Sequence, residues 1–294
     1  ILSAHKQNVP ICIINGRLSP RSFWRYYYFR RLIKPIVQMV DYAAVQTERY
    51  KSRFLRIGFR KDRVVMTGTM KYDIENEMMN NSLSRDDFYA LCGFSHDAKI
   101  LIAASTHDGE ESQCLDAYVH LKKEFPGMCL IIAPRHINRT KDIISLVEEK
   151  GFTYRVADQG QCNAKESRSH TDVFILNTMG QLASLYQYCD YIFMGGSLIR
   201  HGGQNPLEAV MFSKPIISGP YYYNFQDVYT DLVNVGGAYI VRSPDELLVV
   251  IKELIADKDK ARIMGEHAFS LLQSKQGATQ RNRELIVSLV KDKV

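Results

Sequence analysis

The chain has 294 residues, 46% of them hydrophobic, with a net charge of +6 and six cysteines, which is enough to bury one large or two ordinary cores and too apolar for a disordered tail. No run approaches the ~18 consecutive apolar residues of a membrane-spanning helix, and neither a signal peptide nor an internal repeat is recognisable. Cys12, Cys92, Cys114, Cys129, Cys162 and Cys189 form no C-x-x-C pair and several sit in apolar runs, so reduced, buried thiols of a cytoplasmic protein are expected rather than disulfides or zinc ligands.

The charge is unevenly placed. Residues 1–72 hold 15 Lys/Arg against 3 Asp/Glu, leaving 23 against 29 for the rest, so an anionic partner belongs to the first quarter. There the runs 9–15, 42–47 and 63–68 read as strands. Between the first two, RSFWRYYYFRRLIK (21–34) mixes Phe23, Trp24, Phe29 and three tyrosines with Arg21, Arg25, Arg30, Arg31 and Lys34. Ser19 and Pro20 supply an N-cap and a first-position proline for one helix over this segment. The mixture suits an anionic membrane interface, where rings settle at headgroup depth, or single-stranded nucleic acid by stacking, or a partly buried helix with a solvated basic face.

Residues 74–97 are polar and read as a connection. From residue 98 the pattern becomes regular, with short apolar runs at 98–105, 128–134, 172–177, 190–196 and 214–220, separated by amphipathic stretches such as 110–125 and 179–188. Near-continuous apolar strands alternating with helices define a doubly wound α/β domain with a parallel sheet. The last residues, 279–294, read as an amphipathic helix. Asp257-Lys258-Asp259 fits a solvated helix face, and no metal is expected.

Ligands of such sheets bind beyond the carboxyl ends of the strands, and each apolar run is followed by polar or glycine-rich chemistry. After residue 104 come Ser105, Thr106 and His107, with Asp108 and Glu111 spaced as a capping box. After Ala133 come Arg135 and His136; after Leu176, Thr178, Met179 and Gly180. After Met194 comes GGSLIRHGGQNPLEAVMFSKPIISGP (195–220), with Gly196, Ser197, His201, Gly203, Asn205 and Glu208. Its glycines lie between a strand and a helix started by Asn205 and Pro206, where main-chain N–H groups can approach an anion. A guanidinium, hydroxyls and helix starts suit a phosphate. Glu208, which would repel a phosphate, suits the two hydroxyls of a ribose, and the pair describes a nucleotide. Neither G-x-G-x-x-G after a strand nor a P-loop is present, against dinucleotides and P-loop chemistry.

The stretches NGRLSPRS, VVMTGTMKYD, LIAASTHDGEE, LIIAPRH, NTMGQLASLYQYCDYIFMGGSL, GGQNPLEAVMFSKPIISGP and NFQD, in that order over residues 11 to about 240, together with GATQRNRELIVSLV, resemble the 3-deoxy-D-manno-octulosonic acid (Kdo) transferases of lipopolysaccharide assembly. The resemblance implies a GT-B fold: two Rossmann-like doubly wound domains, the first partly present as residues 1–73, a linker at 74–97, a donor-binding domain at 98–275 and a closing helix at 276–294. It implies metal-independent, inverting transfer of Kdo from CMP-Kdo to a lipid A precursor, with no cofactor.

On this resemblance Arg135 meets the phosphate, Thr178, Met179 and Gly180 the base, and Glu208 the ribose. Ser105, Thr106, His107, His136, Gly196, Ser197, Gly203 and Asn205 line the donor site. Arg17 and Lys71 face the Kdo carboxylate or an acceptor phosphate. Arg21, Trp24, Arg25, Arg30 and Arg31 face the membrane and acceptor, with no nucleic-acid partner, at the cytoplasmic face of the inner membrane. The general base is expected upstream of Ile1. Related enzymes often carry a second acid eight residues after the ribose-binding Glu, where this chain has Ile216. The alternatives are a UDP-sugar 2-epimerase or another glycosyltransferase of the same architecture, and a non-catalytic donor-binding module.

Overall fold

In a computed structural model that describes residues 1–74, 83–158, 161–164 and 171–291, the chain forms two compact units, 1–74 with 273–294, and 75–272. The first contains a parallel three-stranded sheet, β1 Cys12–Gly16, β2 Tyr42–Val45 and β3 Val64–Met66 in that order. The apolar stretches predicted as strands supply it, and Phe23, Val37, Val45, Tyr50, Phe54 and Val64 form its core. The helix Ala278–Lys291 belongs to this unit. Asp73 caps its start by accepting from the backbone N–H groups of Gly277 and Thr279, and Arg281 Nε donates to the Thr67 carbonyl at 2.8 Å.

The basic aromatic segment differs from the single helix expected. Ser19 does cap it, its Oγ accepting from Ser22 N at 3.2 Å with Pro20 in first position, but the helix Pro20–Tyr28 ends at Phe29 and a second, Arg30–Val37, comes directly after it. Phe23 is buried, whereas Trp24, Tyr28 and Leu32 are 60%, 81% and 74% exposed.

The second unit is built on β4 Lys99–Thr106, β5 Met128–Pro134, β6 Tyr154–Asp158, β7 Gln161–Ala164, β8 Val173–Leu176, β9 Tyr191–Met194, β10 Ile216–Ser218 and β11 Ala238–Ile240. Their order is β11-β10-β9-β4-β5-β8-β6-β7, and every pairing is parallel except β6 with β7. The central strands are the five apolar runs, and β4 to within two residues of its ends, β5, β8, β9 and β10 are almost wholly buried. Strands β7 and β11 form the sheet's two edges, where polar residues are tolerated, and β6 lies one strand in, between β8 and β7. Strands β6 and β7 mix polar with apolar residues and β11 is only three residues long, so their apolar signal is weak.

Part of the polar stretch 74–97 is folded: Arg85–Cys92 is a helix capped by Ser84, with Phe88, Tyr89 and Cys92 buried. Residues 75–82 of that predicted connection lie outside the described residues, as do 292–294 of the predicted closing helix. The five described cysteines form no disulfide among the described residues and all but Cys12 are buried; the Cys162 side chain lies outside the described part. Among the described residues no helix is long and apolar enough to cross a membrane.

Candidate functional site

The carboxyl ends of β4, β5 and β9 meet around an unusual turn. The β4–β5 register shifts between Ala104 and Thr106, and Ser105 adopts the left-handed conformation at φ 53°, which a non-glycine residue adopts at a cost of about 1–2 kcal/mol. The end of β9 packs directly on this bulge. A Cβ on Gly195 would stand 2.6 Å from the Thr106 Cα and 2.7 Å from the Ser105 carbonyl oxygen, so only glycine fits there.

Glu110, fully buried at the start of the helix Glu110–Glu124, organises the glycine-rich loop after β9. Its Oε1 accepts from the backbone N–H of Ser197 at 2.8 Å and of Leu198 at 2.9 Å. Its Oε2 accepts from Gly196 N–H and, at 3.0 Å, from His107 N–H. The main-chain donors that the glycine-rich stretch was expected to offer a ligand are thus taken by the protein's own carboxylate. Ser197 is consumed as well: its hydroxyl donates to the Met194 carbonyl and accepts from Gly219 N–H at 2.7 Å. Gly203 is buried, with Tyr222 against the position a side chain would take. The N–H groups of Gly196, Ser197 and Gly203 and the Ser197 hydroxyl are therefore all engaged in building the loop.

The predicted capping box is also replaced. Gly109, not Asp108, is the N-cap residue. Arg139 bridges Asp108 and Glu111, at 2.7 Å to each, and Glu111 Oε1 also accepts from the Thr106 hydroxyl at 2.9 Å. Thr106 is 1% exposed and His107 7%, and neither is among the residues that line the neighbouring cavity. His107 Nε2 lies 2.9 Å from Gln204 Nε2, and its ring stacks on that of His201 with centroids 3.7 Å apart. Burial first, then His201, His136, Arg135 and Arg139, pull its imidazole down from 6.5 to about 4. It is neutral at pH 7, and with the Gln204 amide donating to Nε2 its proton is placed on Nδ1.

In front of this framework lies a cavity of about 450 Å³ lined by Ser105, Arg135, Gly180, Leu182, Ala183, Tyr186, Gln204, Asn205, Glu208 and Phe225. Five of the predicted donor residues are thus brought together: Ser105, Arg135, Gly180, Asn205 and Glu208. Thr178, whose hydroxyl donates to Gln181 Oε1 at 2.8 Å, and the exposed Met179 and His136 are outside the lining set. The Arg135 side chain is exposed and, among the described residues, has no carboxylate partner. Glu208 is half-buried without a hydrogen-bond partner among the described residues, and burial pushes its carboxyl above the ordinary value.

Asn205 Oδ1 accepts from Leu207 N–H at 3.3 Å, but the helix it precedes is only Leu207–Val210. One turn sums few peptide dipoles, so the anion site expected at a helix start reduces here to Arg135. Gln204, Tyr186 and Phe225 carry no distinguishing signal in the sequence, although each lies inside a stretch matching the family. In the other unit Arg17 is exposed just after β1, and Lys71 is exposed in the short turn Met70–Tyr72. The Asn15 carboxamide oxygen ties these strand ends together, accepting from Gln46 Nε2 at 2.8 Å and from Met70 N–H at 3.5 Å. Among the described residues no group of three or more His, Cys, Asp or Glu is placed to hold a metal ion.

A doubly wound parallel sheet with a cavity at its carboxyl edge, lined among others by Arg135 and Glu208, has the architecture of a GT-B domain. Residues 112–270 match the family model of glycosyl transferases group 1, and the chain belongs to that family. Residues 1–74 match the model described as 3-deoxy-D-manno-octulosonic-acid transferase (kdotransferase).

Among its relatives is a 3-deoxy-D-manno-octulosonic acid transferase of Haemophilus influenzae, 31% identical over 95% of this chain and 64% of that protein. A protein of the same name from Chlamydia trachomatis is 27% identical over 95% of this chain and 62% of its own length. The chain thus spans somewhat under two thirds of these relatives. The C-terminal CMP-Kdo binding domain of WaaA from Acinetobacter baumannii has the same fold, with a TM-score of 0.59 at 22% identity over 68% of this chain and all of that one. UDP-GlcNAc 2-epimerase from Neisseria meningitidis shares it too, with a TM-score of 0.56 at 16% identity over 98% of this chain and 72% of that one.

Proposed function

We propose that the protein transfers Kdo from CMP-Kdo to a lipid A precursor in lipopolysaccharide assembly. The observation that carries the reading is a pair of side chains in one cavity with no partner among the described residues: Arg135 suits a single phosphate and Glu208 a ribose. The name of the Haemophilus relative and the CMP-Kdo ligand of the Acinetobacter domain support Kdo and cytidine over other sugars and bases. In the proposed displacement an acceptor hydroxyl attacks the anomeric carbon of Kdo while the bond to the phosphate oxygen breaks on the opposite face, inverting that centre. Arg135 meets the charge that collects on the departing CMP, and a single phosphate beside a guanidinium needs no metal ion. Tyr186 and Phe225 offer aromatic surface to the base, and Gly180 lets the chain pass close to it.

In the same reading Arg21, Trp24, Arg25, Arg30 and Arg31 face an anionic membrane at the cytoplasmic side of the inner membrane, with no nucleic acid as partner. The exposed rings of Trp24, Tyr28 and Phe29 beside these cations support it. Arg17 and Lys71 are assigned to the Kdo carboxylate or an acceptor phosphate.

Thermal unfolding with CMP, UMP and UDP, each in the presence of EDTA, tests the donor side. CMP is expected to stabilise the chain by about 2.7 kcal/mol at 100 times its dissociation constant. A shift with UMP or UDP and none with CMP would move the assignment to a uridine-nucleotide enzyme, whose fold is equally compatible.

A further inference from the structure

The helix Glu48–Ile57 carries cations for which the nucleotide cavity has no use. Arg49, Ser52, Arg53 and Arg56 are spaced three and four residues apart on one face, and with Pro20, Phe23 and Trp24 they line a cavity of about 350 Å³. Like charges at this spacing repel along a helix. The acids of the surrounding sequence do not relieve them: Glu48 pairs with Lys51 at 3.6 Å, Asp41 with Arg63 at 3.1 Å and Asp62 with Arg60 at 2.9 Å. Among the described residues no carboxylate pairs with Arg49, Arg53 or Arg56.

Two of these guanidiniums are held from behind. Arg53 Nη1 donates to the Leu18 carbonyl, and its Cζ lies 5.6 Å from the Tyr50 ring centroid. The Arg56 Cζ lies 5.0 Å from the Phe23 centroid and 5.1 Å from that of Tyr27. A guanidinium fixed over a ring keeps its in-plane N–H groups for an anion and loses little freedom on binding one. Trp24 is shared with a second cavity of about 590 Å³, lined also by Tyr27, Tyr28, Arg30 and Arg31, so an aromatic groove adjoins the arginine pocket.

We propose that this pocket binds the phosphomonoester head of an amphipathic ligand whose apolar part lies along Trp24 and Tyr28. A phosphomonoester carries between one and two negative charges at neutral pH and accepts paired hydrogen bonds from guanidinium groups, which matches three cations and the Ser52 hydroxyl. The proposal extends the acceptor side of the transfer above and rests on that reading only for the reason such a ligand arrives.

Trp24 is the only tryptophan of the chain, so its fluorescence reports this pocket. The full chain is titrated with monomeric dihexanoyl phosphatidic acid, dihexanoyl phosphatidylcholine and inorganic phosphate. The expected result is a saturable change with phosphatidic acid at a concentration about tenfold or more below that needed for either other probe, raised about tenfold or more in R49Q/R56Q. Arg49→Gln alone, at an exposed position, is expected to raise it about threefold. CMP stabilisation stays unchanged in both variants. Equal half-saturation with phosphatidic acid and phosphatidylcholine, or no effect of either variant, overturns the pocket. Equal half-saturation with inorganic phosphate overturns the amphiphile. Retained CMP stabilisation in those cases leaves the nucleotide reading standing, and its loss in the parent chain condemns that reading alone.

Discussion

Glu110 and Glu208 are both carboxylates at the carboxyl edge of one sheet, each near the start of a helix, and their surroundings are opposite. Glu110 is fully buried and accepts four backbone N–H groups, from His107, Gly196, Ser197 and Leu198. Glu208 is half-buried on a cavity wall with none among the described residues, and burial raises its carboxyl pKa. A carboxylate out of water is tolerated when its lone pairs are filled, and an unfilled one is held at a cost in stability. The first pattern is that of a strut, and the second is the one that the proposed ribose contact calls for.

The largest effect is expected from the strut. In Glu110→Gln the new amide can still accept at one atom, but its NH2 faces two N–H donors. Leaving two buried donors without acceptors costs about 1–3 kcal/mol each, so urea unfolding is expected to show a loss of roughly 2–6 kcal/mol. CMP stabilisation should fall too, because Ser105 and Asn205 stand on the elements that Glu110 ties together. Unchanged stability would mean that the loop is held by packing of Gly195 and Gly219 instead.

Arg135 belongs to the other class. Its side chain is exposed, so Arg135→Ala is expected to leave unfolding within about 0.5 kcal/mol of the parent while weakening CMP by about 1.5–3 kcal/mol, the worth of a hydrogen bond between charged groups. Calorimetry with cytidine separates the two roles, since a ligand without phosphate should bind both proteins alike. Equal losses for CMP and cytidine would place Arg135 among the struts.

The contrast explains what is legible in the sequence. The central strands of the second unit stand out because β4, β5, β8, β9 and β10 are buried on both faces and read as unbroken apolar runs. Arg135, Asn205, Gly180, Ser105 and Glu208 can be found because polar residues after such runs fall on one edge. Residues of the same types that serve as struts, among them Ser197 and Thr106, come after the same runs and look identical in one dimension. The partner of the glycine-rich loop, Glu110, is far from it in the chain and sits beside Glu111, whose spacing from Asp108 mimics a capping box. Strands β6, β7 and β11 leave no apolar run, because Tyr154–Asp158 and Gln161–Ala164 mix polar with apolar residues and Ala238–Ile240 is only three residues long, and the break at Phe29 falls inside a segment whose composition is uniform.

Glu208 gives the smallest and most discriminating effect. With its carboxyl pKa raised in the folded chain, the folded state holds a proton more tightly than the unfolded one, so its contribution to stability is most favourable below the unfolded value near 4.5 and is lost as pH rises through the folded value. Glu208→Gln has no such loss, and at pH 7 it should be slightly more stable than the parent, by less than about 1 kcal/mol because the group is only half-buried. The gain should vanish below about pH 4, where the parent carboxyl is itself neutral. Binding should move the other way. Replacing CMP with 2'-deoxy-CMP should cost the parent about 1 kcal/mol, and that difference should shrink in the variant. A variant that is more stable at pH 7 yet still distinguishes the two nucleotides as the parent does would show that Glu208 is an unfilled carboxylate but that the ribose is read elsewhere in the cavity, with Gln204 and Asn205 the next groups to replace.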